Sequence, residues 1–221
     1  QFETASDALV SAAAAELGSR TTQPVRDWVD LHLGDGQAAA HRELAWIGAV
    51  RLGDGAPILL PADLCLRRPP ADRRLSPKSA LSAGCAAGAS RGSATLRALL
   101  ELIERDAASL WWVGGRRPRP LAPQCRAQRR AADLIAVLRQ GHEERRSWLV
   151  DITTEFEIPC VAALSVDRDG TALACGLAAR MSLEGAARSA VIEMCQMELA
   201  LAVVEAKRHE RGEAALNAAD R

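Results

Sequence analysis

Residues 158–179, IPCVAALSVDRDGTALACGLAA, constrain the fold more than any other stretch. Two apolar runs are joined through Asp169-Gly170, a hairpin signal, so the strands must lie side by side and antiparallel. Directly after them Ser182 offers an N-cap, and a helix is predicted from about Leu183 to Arg208. Other strands are expected at ELAWIGAVR (43–51), at APILLP after the turn GDG, and at SWLVDIT (147–153). Helices are expected over 5–17, which ends at Gly18, over about 93–112 with Ser93 as N-cap, and over 126–140. The arginine- and proline-rich stretches 67–78 and 113–124 read as loops. Helices and strands mix without regular alternation, so the fold class is α+β, a mixed or antiparallel sheet packed with long helices. The first 42 residues read as a helical segment of unassigned role, followed by one domain over 43–221.

Lys+Arg and Asp+Glu number 28 each, so no global field favours nucleic acid or an anionic membrane. The basic runs Arg67–Arg74 and Arg116–Arg130 carry no interleaved aromatics, against a stacking groove for nucleic acid. No apolar run approaches the roughly 20 residues that span a bilayer. Six scattered cysteines with no C-x-x-C pair argue against a zinc site built from neighbouring ligands and against a disulfide framework. Free thiols in a cytoplasmic protein are the expectation.

Two chemistries compete within residues 84–112. Gly88 to Gly92, GASRG, spells G-x-S-x-G, the pattern of a hydrolase nucleophile elbow around Ser90. The stretch before it is rich in alanine and glycine, whereas an elbow needs a buried strand there, and a helix-entry turn accounts for the pattern as well. The helix that follows carries an apolar stripe of Leu96, Leu99, Leu100, Ile103, Ala107 and Leu110, expected to face a core. Its other flank sets Glu101, Glu104 and Arg105 among alanines that leave room for close approach. Two carboxylates three residues apart can share a hard divalent cation, and an arginine beside them can pair with phosphate. On the last helix Ser189, Glu193 and Gln196 fall on one face within an otherwise apolar run. Such polar groups need partners. Two helices that each present a glutamate could clamp metal-bridged phosphates, a site for phosphoryl transfer without a nucleophile. A solvated charged face is the plainer alternative for either helix. No G-x-x-x-x-G-K-[ST] loop is present, so a P-loop is not indicated.

The stretches SAGCAAGASRGSATLRALLELIERDAASLWWVGGRRPRP and LVDITTEFEIPCVAALSVDRDGTALACGLAARMSLEGAARSAVIEMCQME resemble the YcaO family. They are most similar to members that make azolines in ribosomally synthesised peptides such as bacteriocin precursors. The resemblance covers the chain from about Glu43 onward. It implies a YcaO-like fold, ATP and Mg2+ as cofactors, and activation of a peptide amide oxygen by phosphorylation. It matches Glu101, Glu104 and Glu193 to metal- and phosphate-binding glutamates, and Arg105 to the adjacent arginine. Glu193 and Gln196 match a second nucleotide-binding helix, with Ser189 beside them. No catalytic residue is assigned. The resemblance also implies a precursor peptide as substrate and a partner that binds its leader, and it admits a homodimer. Azoline, thioamide and amidine products stay open. Glu198 departs from the family, which often has arginine there, and the family domain continues beyond the last helix, which implies a truncated chain. The alternatives are a non-catalytic YcaO-like peptide- or partner-binding protein and, as an outsider, a serine hydrolase using Ser90.

Overall fold

The computed structural model describes residues 10–33, 42–66, 69–75, 83–142 and 144–217. Residues 5–9 of the expected first helix, parts of the 67–78 loop and parts of the 1–42 segment lie outside them. The chain forms two compact units, Gln1–Cys85 and Ala86–Arg221.

In the first unit, β1 (Val10–Ala13), β2 (Glu43–Val50) and β3 (Pro57–Pro61) form an antiparallel sheet in that order. It is accompanied by α1 (Gln23–Leu33) and the one-turn α2 (Ala62–Cys65). The helix expected over 5–17 is replaced, within the described residues, by β1 and a 3-10 stretch from Ala14 to Arg20. Pairing with β2 overrides the helical propensity of the alanines. Val10 stands opposite Trp46, and the buried Trp46 indole donates a 2.9 Å hydrogen bond to the Ala12 carbonyl. Trp46, Leu44, Leu17, Val29 and Leu75 make this unit's core.

The second unit is a sheet between helical layers. Strands β4 (Arg119–Pro120), β5 (Arg146–Asp151), β6 (Cys160–Val166) and β7 (Ala174–Ala179) lie antiparallel in sequence order. The hairpin signal at Asp169-Gly170 is realised: Gly170 has φ 83°, and its N–H donates to the Asp167 carbonyl at 3.2 Å. One sheet face carries Val161, Ala163, Ala174 and Ala178 and packs on α4 (Arg126–Arg139) and α5 (Leu183–Arg211). The opposite face carries Ala162, Leu164 and Ala179 and packs on α3 (Arg91–Trp112) through Leu100 and Ala107. Because both faces are covered, β6 is apolar throughout rather than alternating, apart from the Ser165 hydroxyl held within the structure.

Small residues set how closely α5 lies on the sheet. A methyl group built on Gly176 would stand 2.1 Å from the Ala190 carbonyl oxygen and 2.3 Å from the Met194 nitrogen, both backbone atoms of α5. Only a glycine lets helix and strand meet at that distance.

Candidate functional site

The N-cap of α3 is Ser90, not Ser93. Ser90 and Ser93 form a reciprocal capping box, in which the Ser90 Oγ accepts from the Ser93 N–H at 3.2 Å and the Ser93 Oγ accepts from the Ser90 N–H at 3.1 Å. Gly88 is required here, since a Cβ on it would lie 2.3 Å from the Ser93 Oγ and 2.6 Å from the Ala94 nitrogen. Residues 83–90 form no strand, and the Ser90 hydroxyl is engaged by Ser93. The G-x-S-x-G pattern therefore marks the entry of a helix, and the geometry of a nucleophile elbow is absent from it.

The face that α3 buries is rotated from the one its leucines suggest. Ala94, Leu100, Glu104 and Ala107 are buried, whereas Leu96 and Leu99 stay 46% and 42% exposed. The physical reason is packing on the sheet face, where Leu100 and the small Ala107 meet Ala162, Leu164 and Ala179, while the Glu104 carboxylate reaches the edge. Its Oε2 accepts from the Ala179 N–H of β7 at 3.1 Å. From α5, the Glu193 Oε2 accepts from the Leu177 N–H at 2.9 Å.

These two bonds define the site. The Arg180 N–H donates to the Pro159 carbonyl on the β6 side, so the amides of Leu177 and Ala179 point to the opposite, open edge of β7. Helices on opposite faces of the sheet thus reach round one strand edge and set their carboxylates on alternate amides. Residues two apart on a strand are about 7 Å apart, which fixes the spacing of the two anchored carboxylate oxygens to that order. Free edge amides normally invite strand pairing, and inward-facing charges block it.

Glu104 is 8% exposed. Burial pushes its carboxyl above the ordinary glutamate value of 4.5, and the nearby Glu193 charge adds to this, while the Ala179 N–H, Arg105 and Arg180 pull it back. Two carboxylates in mutual repulsion, partly desolvated, are poised to accept a cation. One turn earlier, Glu101 is half-buried and faces Arg105 at 3.8 Å. Ser189 and Gln196 share the Glu193 stripe of α5, half-buried and exposed respectively. The structure brings Glu104 and Glu193 together, with Glu101 and Arg105 a turn away, and shows no direct contact from Ser189 or Gln196 to that pair.

Among the described residues, no group of three His, Cys, Asp or Glu side chains is close enough to hold a metal alone. Mg2+ rarely uses such a cage: it is typically bound by one or two carboxylates together with waters and substrate phosphates. Glu104 and Glu193, with Glu101 a turn away, offer hard oxygen donors in that number, and Arg105 and Arg180 place positive charge near Glu104.

Arg180, whose charge acts on Glu104, and the edge amides leave no signal in the sequence. Arg180 stands two residues before the Ser182 N-cap, a position no spacing rule singles out. Glu198, at the departure from the resemblance, is engaged elsewhere. Arg139 donates to it at 3.1 and 2.5 Å, Ser165 donates at 2.5 Å, and Arg145 lies at 3.5 Å. A cavity of about 480 Å³ near the C-terminal end of α3, beside Trp111, Arg116, Arg119 and Asp151, contains none of the six candidate residues. Two of its three arginines are already paired, Arg116 with Glu155 at 3.1 Å and Arg119 with Asp151 at 2.9 Å. No helix among the described residues is long and apolar enough to cross a membrane.

A family model described as YcaO cyclodehydratase, ATP- and Mg2+-binding, matches residues 2–221. No curated protein matches the chain. Among solved structures, a heterocyclase in complex with substrate and cofactor is 26% identical with TM-score 0.66, covering 85% of this chain and 28% of its own. The E. coli microcin synthetase McbBCD complex matches at 15% identity and TM-score 0.68, covering 94% of this chain and 54% of that one. YcaO from Methanopyrus kandleri, bound with AMPPCP and Mg2+, matches at 23% identity and TM-score 0.55, covering 78% and 43%. The chain thus spans between about a quarter and a half of the length of these structures, whose antiparallel sheets and helices it shares.

Proposed function

The chain belongs to the YcaO family, and from that premise we propose that it binds ATP and Mg2+ at the open edge of β7 to activate backbone amides of a peptide. The observation that carries this reading is the anchoring of Glu104 and Glu193, from two helices, on alternate edge amides of one strand.

In the proposed reaction a Cys, Ser or Thr side chain of the peptide attacks the preceding carbonyl carbon. That attack closes a five-membered ring as the side chain gives up its proton. The former carbonyl oxygen takes the terminal phosphoryl group of ATP with release of ADP. Phosphate then departs as the amide nitrogen loses its proton, which forms the C=N bond of the azoline. ATP supplies the phosphoryl group and Mg2+ neutralises its charge. The protein's part is positioning and electrostatics. Glu104 and Glu193, with Glu101 a turn away, would supply carboxylate oxygens to the metal, Arg105 and the polar Ser189 and Gln196 would line the nucleotide, and the edge amides fix Glu104 and Glu193 so that little reorganisation is needed. The leader of the precursor peptide is recognised by a partner protein, in keeping with the substrate and multi-protein complexes among the structural relatives.

Calorimetric titration with ATP, with and without Mg2+, tests the reading. Magnesium-dependent binding that is lost in Glu101→Ala and Glu104→Ala supports it. Unchanged binding in those variants removes the site assignment. Incubation with ATP and a Cys-, Ser- or Thr-rich peptide, read by mass, then separates the enzyme, which removes one water per ring, from a binding protein, which leaves the peptide mass unchanged.

A further inference from the structure

The Ala179 backbone is held at both its N–H and its carbonyl. Its N–H is taken by Glu104 at 3.1 Å, and its carbonyl accepts from the Arg180 Nη1 at 2.7 Å. Both atoms of a strand residue point to the same side, so the guanidinium stands on the open edge of β7 beside the buried carboxylate. Its backbone cannot drift. The Arg180 N–H is tied to the Pro159 carbonyl at 3.0 Å, and two residues later Ser182 caps α5 by accepting from the Gly185 N–H at 3.2 Å. The side chain is otherwise exposed. One of its five N–H donors is used by Ala179, which leaves the remainder of the planar fork to face solvent.

Arg105, the other cation near Glu104, already leans on Glu101. Among the described residues, Arg180 forms no hydrogen bond or ion pair with a carboxylate, its side chain donating to the Ala179 carbonyl instead. A guanidinium fixed at a metal-binding edge, with free donors in a plane, matches phosphate oxygens in a way a lysine cannot. Metal ions in phosphoryl transfer bridge the last two phosphates, so a cation next to a metal-holding carboxylate meets the group that moves. We propose that Arg180 is a phosphate-binding residue of this site, which contacts the terminal phosphoryl group of a nucleoside triphosphate and so discriminates triphosphate from diphosphate. This rests on the ATP and Mg2+ reading above.

The test is calorimetric titration of the full chain with Mg-ATP and with Mg-ADP, using the wild type, Arg180→Gln and Arg180→Lys. Arg180→Gln should weaken Mg-ATP by about tenfold or more while Mg-ADP stays within about twofold. Arg180→Lys keeps the charge without the fork and should lose about two- to fivefold for ATP alone. The melting temperature of Arg180→Gln should match the wild type, since the side chain is exposed. If that variant unfolds, the ATP-to-ADP ratio of Arg180→Lys decides, and an unchanged ratio overturns the proposal. ATP affinity unchanged in Arg180→Gln, or ATP and ADP weakened alike, also overturns it while the site reading stands. A wild type that binds no Mg-ATP removes both.

Discussion

Replacing Gly176 by alanine probes how the site is assembled, because this glycine determines where α5 lies. The added Cβ would stand 2.1 Å from the Ala190 oxygen and 2.3 Å from the Met194 nitrogen, against the 3.4 Å or more of ordinary contact. Helix or strand must therefore shift by about 1 Å. Overpacking a well-packed contact costs typically 1–3 kcal/mol. The opposing atoms here are helix backbone, which cannot rotate aside as a side chain would, so the expected loss is at the upper end, about 3 kcal/mol. The same shift stretches the 2.9 Å bond between Glu193 and the Leu177 N–H, so Mg-ATP binding should fall as well. Urea unfolding followed by circular dichroism reads the first effect, and calorimetry the second. Gly92 provides the contrast: it lies inside α3 with nothing within 4 Å of a built Cβ. Gly92→Ala should stabilise by roughly 0.4–1 kcal/mol. A Gly176→Ala protein as stable as the wild type, with intact nucleotide binding, would refute the close-packing account.

Further outcomes follow from the charges and thiols. Glu198→Ala removes the carboxylate between Arg139 and Arg145, whose side chains are 13% and 18% exposed. Stranding two such cations should cost about 3–5 kcal/mol in urea unfolding, and a loss below about 1 kcal/mol would place the network at the surface energetically. Glu104 has a raised folded pKa, so its contribution to stability is present below the ordinary 4.5 and is lost as pH rises through the folded value. Without nucleotide, Glu104→Gln, whose side-chain oxygen still accepts from Ala179, should therefore gain on the wild type as pH rises above 4.5. A gap that shrinks with rising pH would contradict the sign. Finally, Cys85 is exposed, whereas Cys160 is fully buried and its thiol is pushed up to about 11 by burial, with Glu104, Asp151 and Asp106 adding. Thiolate labelling of the native protein should modify Cys85 first and Cys160 only after unfolding.

Much of the second unit can be read from local signals. The Asp169-Gly170 turn, the apolar runs flanking it and the Ser182 cap are short-range features, and they produce β6, β7 and α5 as expected. The β1 strand could not be read this way, because alanine-rich residues 10–13 become a strand only through pairing with Glu43–Trp46. The α3 stripe misleads for a related reason. Leucines at helical spacing suggest the buried face, but the sheet takes Leu100, Glu104 and Ala107, and a buried carboxylate looks polar in any sequence pattern. The glutamates themselves stand out by type and spacing. Their joining does not, since Glu104 and Glu193 meet only through amides of a strand that belongs to neither helix. Arg180 escapes for the same reason, its value coming from an edge that only the folded sheet creates.

The proposed function requires that Glu104 and Glu193 act as one site across the edge of β7. A double-mutant cycle on Mg-ATP affinity, with Glu104→Gln, Glu193→Gln and the double variant measured by calorimetry, tests it most directly. Groups that hold one ligand together should show an interaction energy of about 0.5–3 kcal/mol. Effects that add to within about 0.3–0.5 kcal/mol would mean that the two carboxylates serve separate purposes.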